Sequence, residues 1–180
     1  MELGRETEKI LNDAVLVFPM KGEYVLLARK MKKIGKGKLN GYGGGIEKGE
    51  TSLEAAIREM KEETTSSQNP GIRLLRGDLE KVAIMSFHNT TEEGITFVCK
   101  VHVYLAKAWD GEFTSTDDMA DPNWYVKDNF PSEELMPADV IWMPYIFSGK
   151  KIVGSAWYTP HQAALIGEVK IQEVPSFPQE

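Results

Sequence analysis

Gly44-Gly-Ile-Glu-Lys-Gly-Glu50-Thr-Ser-Leu-Glu-Ala-Ala-Ile-Arg58-Glu59-Met-Lys-Glu62-Glu63 carries glycines directly into a helical pattern. Thr51-Ser-Leu-Glu54 fits a capping box, in which each side chain satisfies the other's backbone N–H, so a helix is predicted over 51–64. Leu53, Ala56, Ile57 and Met60 recur at helical spacing and form its apolar stripe. Residues three and four apart share one side of a helix, which gathers Glu59, Glu62 and Glu63 into a carboxylate cluster. That cluster is centred about a third of a turn from the stripe, at about 100° per residue. The helix can therefore pack on a sheet while presenting acids along one edge. Crowded carboxylates repel one another, and a hard divalent cation relieves the repulsion. Magnesium in particular takes a few protein carboxylates together with phosphate oxygens of a ligand. The plain alternative for such a face, interspersed with Arg58 and Lys61, is a solvated surface with weak ion pairs.

Upstream, Ala14–Phe18 and Glu23–Arg29 are short and rich in strand-forming residues, and Met20-Lys-Gly22 between them reads as the turn of an antiparallel pair. Lys30 to Gly45 holds five lysines and six glycines and reads as one long loop. Its lysines, at 30, 32, 33, 36 and 38, offer positive charge to an entering polyphosphate, or are simply solvated. Downstream, strands are predicted over 81–87, 95–106, 124–127, 151–158 and 168–174, with a second helix over 138–147. Strands and helices do not alternate regularly, so the fold class is α/β with a mixed sheet and helices on its faces. The polar terminal segments 1–11 and 175–180 read as frayed ends.

The 180 residues make one domain, 42% hydrophobic and 27% charged, with a net charge of −6. That charge excludes bulk attraction to nucleic acid. No apolar run is long enough to span a bilayer, and the first ten residues are too charged for a signal peptide, which points to a cytoplasmic protein that binds no membrane. The single cysteine, Cys99, lies in an apolar run and reads as core, which suits a reducing compartment. His88, His102 and His161 lack metal-ligand spacing. A monomer or a homodimer is expected.

The whole ordered pattern resembles the Nudix box. Gly44, Glu50, Arg58, Glu59, Met60, Glu62 and Glu63 stand at matching positions, and Thr65 and Ser66 depart from the glycine and aliphatic residue that normally close it. The resemblance implies a Nudix fold, an α/β/α sandwich, and a magnesium-dependent hydrolase, with manganese as a substitute metal. It makes Glu59 and Glu63 the main metal ligands, with Glu62 a further ligand or base and the Gly44 backbone nearby. It also has Glu50 brace Arg58, which orients Glu59. The base for the attacking water stays open among Glu62, Glu63 and a distal acid. That distal metal-binding acid is Asp118, with Asp117 the alternative. Threonine at 65, in place of a helix-ending glycine, costs of order 1 kcal/mol or forces another exit from the helix.

Outside the box the chain is similar to the MutT-like branch of the family that hydrolyses oxidised purine nucleoside triphosphates such as 8-oxo-dGTP to the monophosphate. The likeness runs through Val25-Leu-Leu-Ala-Arg-Lys30, Asn40-Gly-Tyr-Gly-Gly44, Trp124-Tyr125 and Met136-Pro-Ala-Asp139 to Trp142-Met-Pro144. It implies that Asn40 bonds the base, Lys30 approaches the phosphates or the pocket rim, and Phe87 lines the pocket. Without the likeness these three read as a turn residue, a solvated lysine and core. Met136 replaces the branch's stacking tryptophan, and Ala138 replaces the first acid of a pair of which Asp139 remains. Sugar or dinucleoside diphosphates such as ADP-ribose are the alternative substrates, and a non-catalytic nucleotide binder the alternative of another class.

Overall fold

The computed structural model describes residues 8–180. In chain order it contains β1 (Lys9–Ile10), β2 (Ala14–Lys21), β3 (Tyr24–Lys30), β4 (Leu39–Asn40), β5 (Tyr42–Gly45), α1 (Ser52–Thr64), β6 (Thr65–Ser66), β7 (Asn69–Pro70), β8 (Leu79–Thr90), β9 (Thr96–Ala106), β10 (Met119–Val126), α2 (Asp139–Phe147), β11 (Ile152–Trp157) and β12 (Lys170–Glu173). The sheet runs β10-β3-β2-β9-β8-β11-β12, with β1 on β9, β4 on β3 and β5 on β2. It is mixed: β2 lies parallel to β9 and β8 parallel to β11, while β8 and β9 form an antiparallel hairpin.

Alternation along the strands explains the layers. Val25 and Leu27 of β3, with Phe18 of β2, enter a cluster containing Trp142, Met143, Ile146 and Phe147 of α2. Leu26 and Ala28, with Val15 and Val17, enter a second cluster containing Ala55, Ala56 and Met60 of α1. Successive strand side chains point to opposite faces, so both faces carry apolar residues and each takes one helix. This is the mixed α/β sandwich expected from the sequence. The β2–β3 turn is the two-residue Gly22-Glu23, where Gly22 supplies φ +59 at the first central position.

Four local expectations are corrected. The stretch 30–45 is not one loop, because it contains β4 and β5. Glycine is needed inside β5: a Cβ on Gly43 would lie 1.9 Å from the Val15 carbonyl oxygen. The buried stripe of α1 is Ser52, Ala55, Ala56, Met60 and Thr64, with Leu53 and Ile57 only partly covered, so the helix is turned slightly from its predicted face. The strand predicted over 124–127 begins at Met119 and carries a bulge between Ala120 and Asn123, where Asp121 takes φ +50 and Pro122 interrupts the strand pattern. The ends are not frayed where described. Lys9 and Ile10 pair with Phe97 and Val98, and residues 1–7 lie outside the described residues. The 175–180 segment ends with the Glu180 carboxylate docked on Ser52 and Lys81. No helix among the described residues is long and apolar enough to cross a membrane.

Candidate active site

The acids are positioned by the start of α1 and by the glycine strand beneath it. Thr51 accepts a hydrogen bond from the Glu54 backbone N–H at 3.2 Å, and Glu54 accepts one from the Thr51 N–H at 3.0 Å. The helix so fixed packs across β5 and β2. A Cβ on Gly44 would sit 2.6 Å from the Glu59 carboxyl, so any larger residue would push this acid aside. One position earlier, the Gly43 N–H donates to Glu63 at 2.9 Å.

Arg58 is the hub of the charge network. It grips Glu50 with two nitrogens, at 2.6 and 2.9 Å. It also donates to Glu59 at 2.8 Å, to the Gly45 carbonyl at 2.9 Å and to Glu62 at 3.2 Å. The hydrogen bond to Glu50, then those to Glu59, push the guanidinium above its ordinary value, and Arg58 in turn lowers Glu50. Glu59 is 13% exposed and Glu62 60% exposed, so the three acids differ in setting. Glu63 is partly buried. Burial raises its carboxyl to about 7, the Gly43 N–H opposes this, and the neighbouring Glu59 and Asp118 charges add to it. Among the described residues no three such groups converge closely enough to enclose an ion as they stand, and Arg58 holds Glu59 and Glu62. The donors nonetheless fit a hard cation: Glu63 and Glu59 offer carboxylate oxygens close enough for the charge of one to raise the other, and Gly44 leaves room for the Glu59 carboxyl.

A cavity of about 290 Å³ opens on the other side of that strand. Gly43 and Gly44 form part of its wall, and Asn40, Lys30, Phe87, Met136 and Asp139 all line it. A broader depression of about 870 Å³ lies at the start of α1, among Asp13, Ser52, His102 and Glu180. It reaches Glu50 but neither Glu59 and Glu63 nor the glycine strand, whereas the smaller cavity shares Gly43 and Gly44 with those acids.

Lys30 stands between the two ends of this site. Burial lowers its ammonium, while the charges of Glu63 and Asp139 work to raise it. Asp139 is 4% exposed and accepts the Trp142 indole N–H at 2.9 Å. Burial raises its carboxyl to about 7 against that hydrogen bond and the pull of Lys30. Phe87 is tilted against Trp142 and Tyr158. Asn40 uses its side-chain oxygen to accept the Gly41 N–H at 2.8 Å.

The family model for the NUDIX domain matches residues 9–176. This chain is a Nudix hydrolase. It is 32% identical over 168 residues to the oxidized purine nucleoside triphosphate hydrolase of Danio rerio, covering 93% of this chain and 97% of that one. It is 31% identical over 162 residues to the protein of the same name from Mus musculus, covering 90% and 95%. Among solved structures, a mutator MutT protein from Bacillus halodurans superposes with a TM-score of 0.70 at 24% identity, over 89% of this chain and 97% of that one. The ORF135 protein of E. coli gives a TM-score of 0.59 at 20% identity, over 78% and 91%. These structures share the fold.

Against the rest of the family pattern, this Nudix chain shows several particulars. Thr65 ends α1 with φ −82 and ψ 135, so the helix leaves in an extended direction into the small β6–β7 pair and needs no left-handed residue. Asp118 is held in an ion pair with Lys32 at 2.9 Å, although its charge still reaches Glu63. Of the five loop lysines, Lys38 is spent on the Glu133 carbonyl and Lys32 on Asp118, Lys33 and Lys36 do not line the cavity, and Lys30 does. Trp124 stacks on Trp109 within the α1-side core, away from the cavity, whereas Trp142 lines it. Sequence reasoning missed Tyr158, Asn89 and Gln162, which also line the cavity, and read Cys99 only as core. Tyr158 directly follows Trp157, the last residue of β11, and the alternation of the strand predicted over 151–158 was the available signal.

Proposed function

We propose that the protein is a magnesium-dependent nucleoside triphosphate pyrophosphohydrolase that acts on oxidised purine nucleotides such as 8-oxo-dGTP, releasing the monophosphate and diphosphate. One observation carries this reading: a single wall of glycines separates a cavity lined by Asn40, Phe87 and Asp139 from the acids Glu59 and Glu63. A base seated in the cavity would thus lead its phosphates past Lys30 to the helical acids. The names of the relatives that match nearly the full chain agree with a purine triphosphate.

Glu59, Glu63 and the Gly44 backbone would hold the magnesium, which when bound neutralises phosphate charge and polarises the phosphorus–oxygen bond. The chain's own groups do the rest. Arg58, anchored on Glu50, keeps the Glu59 carboxylate turned toward the glycine strand. Glu62, exposed and lightly held, is free to swing from Arg58 and take the proton of the attacking water. Lys30 offsets negative charge where the phosphates leave the cavity. Phe87 and Met136 supply apolar contact to the base, and Asp139 and Asn40 its hydrogen-bonding partners. The substrate is a soluble nucleotide, met in the cytoplasm.

The test is product analysis of the purified protein with magnesium against 8-oxo-dGTP, the ordinary nucleoside triphosphates, ADP-ribose and dinucleoside polyphosphates. The reading expects fastest release of a monophosphate from 8-oxo-dGTP and loss of most turnover in Glu63→Gln. Preferred cleavage of ADP-ribose, or no hydrolysis of any of them, overturns it.

A further inference from the structure

Tyr158 is 1% exposed, yet it lines the cavity from the end of β11. Its hydroxyl oxygen accepts the Ala138 backbone N–H at 3.0 Å, at the entry to α2 where no side chain caps the helix. A phenol can accept and also donate one hydrogen bond. Among the described residues no hydrogen bond uses the Tyr158 proton. Next along the chain from Ala138, Asp139 spends one oxygen on Trp142, and its other oxygen takes no hydrogen bond among the described residues. Burial pushes the Tyr158 hydroxyl above its ordinary value, so it keeps its proton throughout the physiological range. A fixed donor therefore stands beside an acid in an otherwise largely apolar cavity.

We infer that the Tyr158 hydroxyl determines base specificity, donating its proton to the 6-carbonyl oxygen of an oxopurine whose neighbouring N–H faces Asp139. The inference rests on the purine nucleotide reading above and adds a residue to it. Ala138 contributes no polar side chain at the helix entry, and the phenol anchored on its N–H supplies the donor there. An oxopurine edge presents a carbonyl next to a ring N–H, which an O–H donor beside a carboxylate matches. A ligand without that carbonyl leaves a buried hydroxyl unpaired, and such a group discriminates strongly.

The experiment is calorimetric titration of the full chain with three purine deoxynucleoside monophosphates, those of 8-oxoguanine, guanine and 2-aminopurine; the last lacks the 6-carbonyl. Binding needs no turnover. The wild-type protein should favour guanine over 2-aminopurine, which lacks the ring N–H beside that carbonyl as well, about a hundredfold, the factor of two hydrogen bonds. Tyr158→Phe should weaken the two carbonyl ligands about tenfold while moving 2-aminopurine by less than about twofold. Equal weakening of all three means that the hydroxyl only braces Ala138, and overturns the inference, as does no weakening at all. Should the variant not fold, the wild-type ratio decides: equal affinity for guanine and 2-aminopurine overturns it. Wild-type protein that binds none of the three removes the purine reading itself, whereas wild-type binding indifferent to Tyr158 removes only the inference.

Discussion

At position 44 the space available is smaller than a methyl group, since a Cβ would lie 2.6 Å from the carboxyl carbon and one oxygen of Glu59. The neighbouring backbone is held by pairing with Val15, so the acid is what must move. Gly44→Ala should therefore lower kcat by roughly 10–100-fold, the usual cost of disturbing a metal site's support. Urea unfolding should change little, and steady-state kinetics beside a denaturation curve check both halves. Asp139 makes a separate prediction. Its folded carboxyl is raised from 3.8 to about 7 by burial, so the native state holds a proton that the unfolded chain has lost between those values. Stability from this residue is thus fully present at low pH and declines as pH rises toward 7. Asp139→Asn should remove that decline. Relative to wild type the variant should be more stable at pH 8.5 than at pH 5, by of order a few kcal/mol. Melting curves at the two pH values that differ by the same amount in both proteins would refute it.

The elements show where sequence patterns stop being readable. The run from Gly44 to Glu63 was legible because capping, periodicity and charge all specify one helix, and the alternating apolar residues of β2, β3, β8 and β9 were legible for the same reason. β5 was not, because its glycines are selected by the distance to Val15 and Glu59, which no propensity encodes. The early part of β10 was hidden by Asp121 and Pro122, which the bulge accommodates. The cavity's composition was half legible: Asn40, Lys30, Phe87, Met136 and Asp139 were found through family likeness, while Tyr158 follows a strand whose alternation does not by itself say which face meets the cavity. The end of α1 gives the element-scale prediction. Thr65 looks like a flaw where glycine is usual, but its φ of −82 suits any residue, and its hydroxyl donates to the Lys61 carbonyl at 2.6 Å. Thr65→Gly should destabilise the protein by about 1–2 kcal/mol, through added freedom of the unfolded chain and the lost hydrogen bond. A gain in the urea midpoint would show that the extended exit is strained.

At the scale of the molecule, the segment after β12 returns across the sheet to the helix that carries the acids. Glu180 accepts hydrogen bonds from the Ser52 N–H at 2.6 Å, the Ser52 hydroxyl at 2.5 Å and Lys81 at 2.9 Å. Its position at the start of α1 also places a negative charge at the positive end of the helix. Burial works to raise its carboxyl, but Ser52 and Lys81 prevail and hold it at about 2, below the ordinary 4.5. A group depressed in this way stabilises the fold fully above the ordinary value and loses that contribution as pH falls toward 2. Glu180→Gln should therefore melt at a lower temperature than wild type at pH 7, and the gap between the two should close steadily from pH 4.5 to pH 2.5. The contact ties β12, β8 and α1 together, so the loss should appear as one shifted cooperative transition, with near-UV and far-UV circular dichroism moving together. A separate early transition in the variant, or a gap that does not vary with pH, would show that the Glu180 carboxylate contributes no charge-dependent support to the helix bearing Glu59, Glu62 and Glu63.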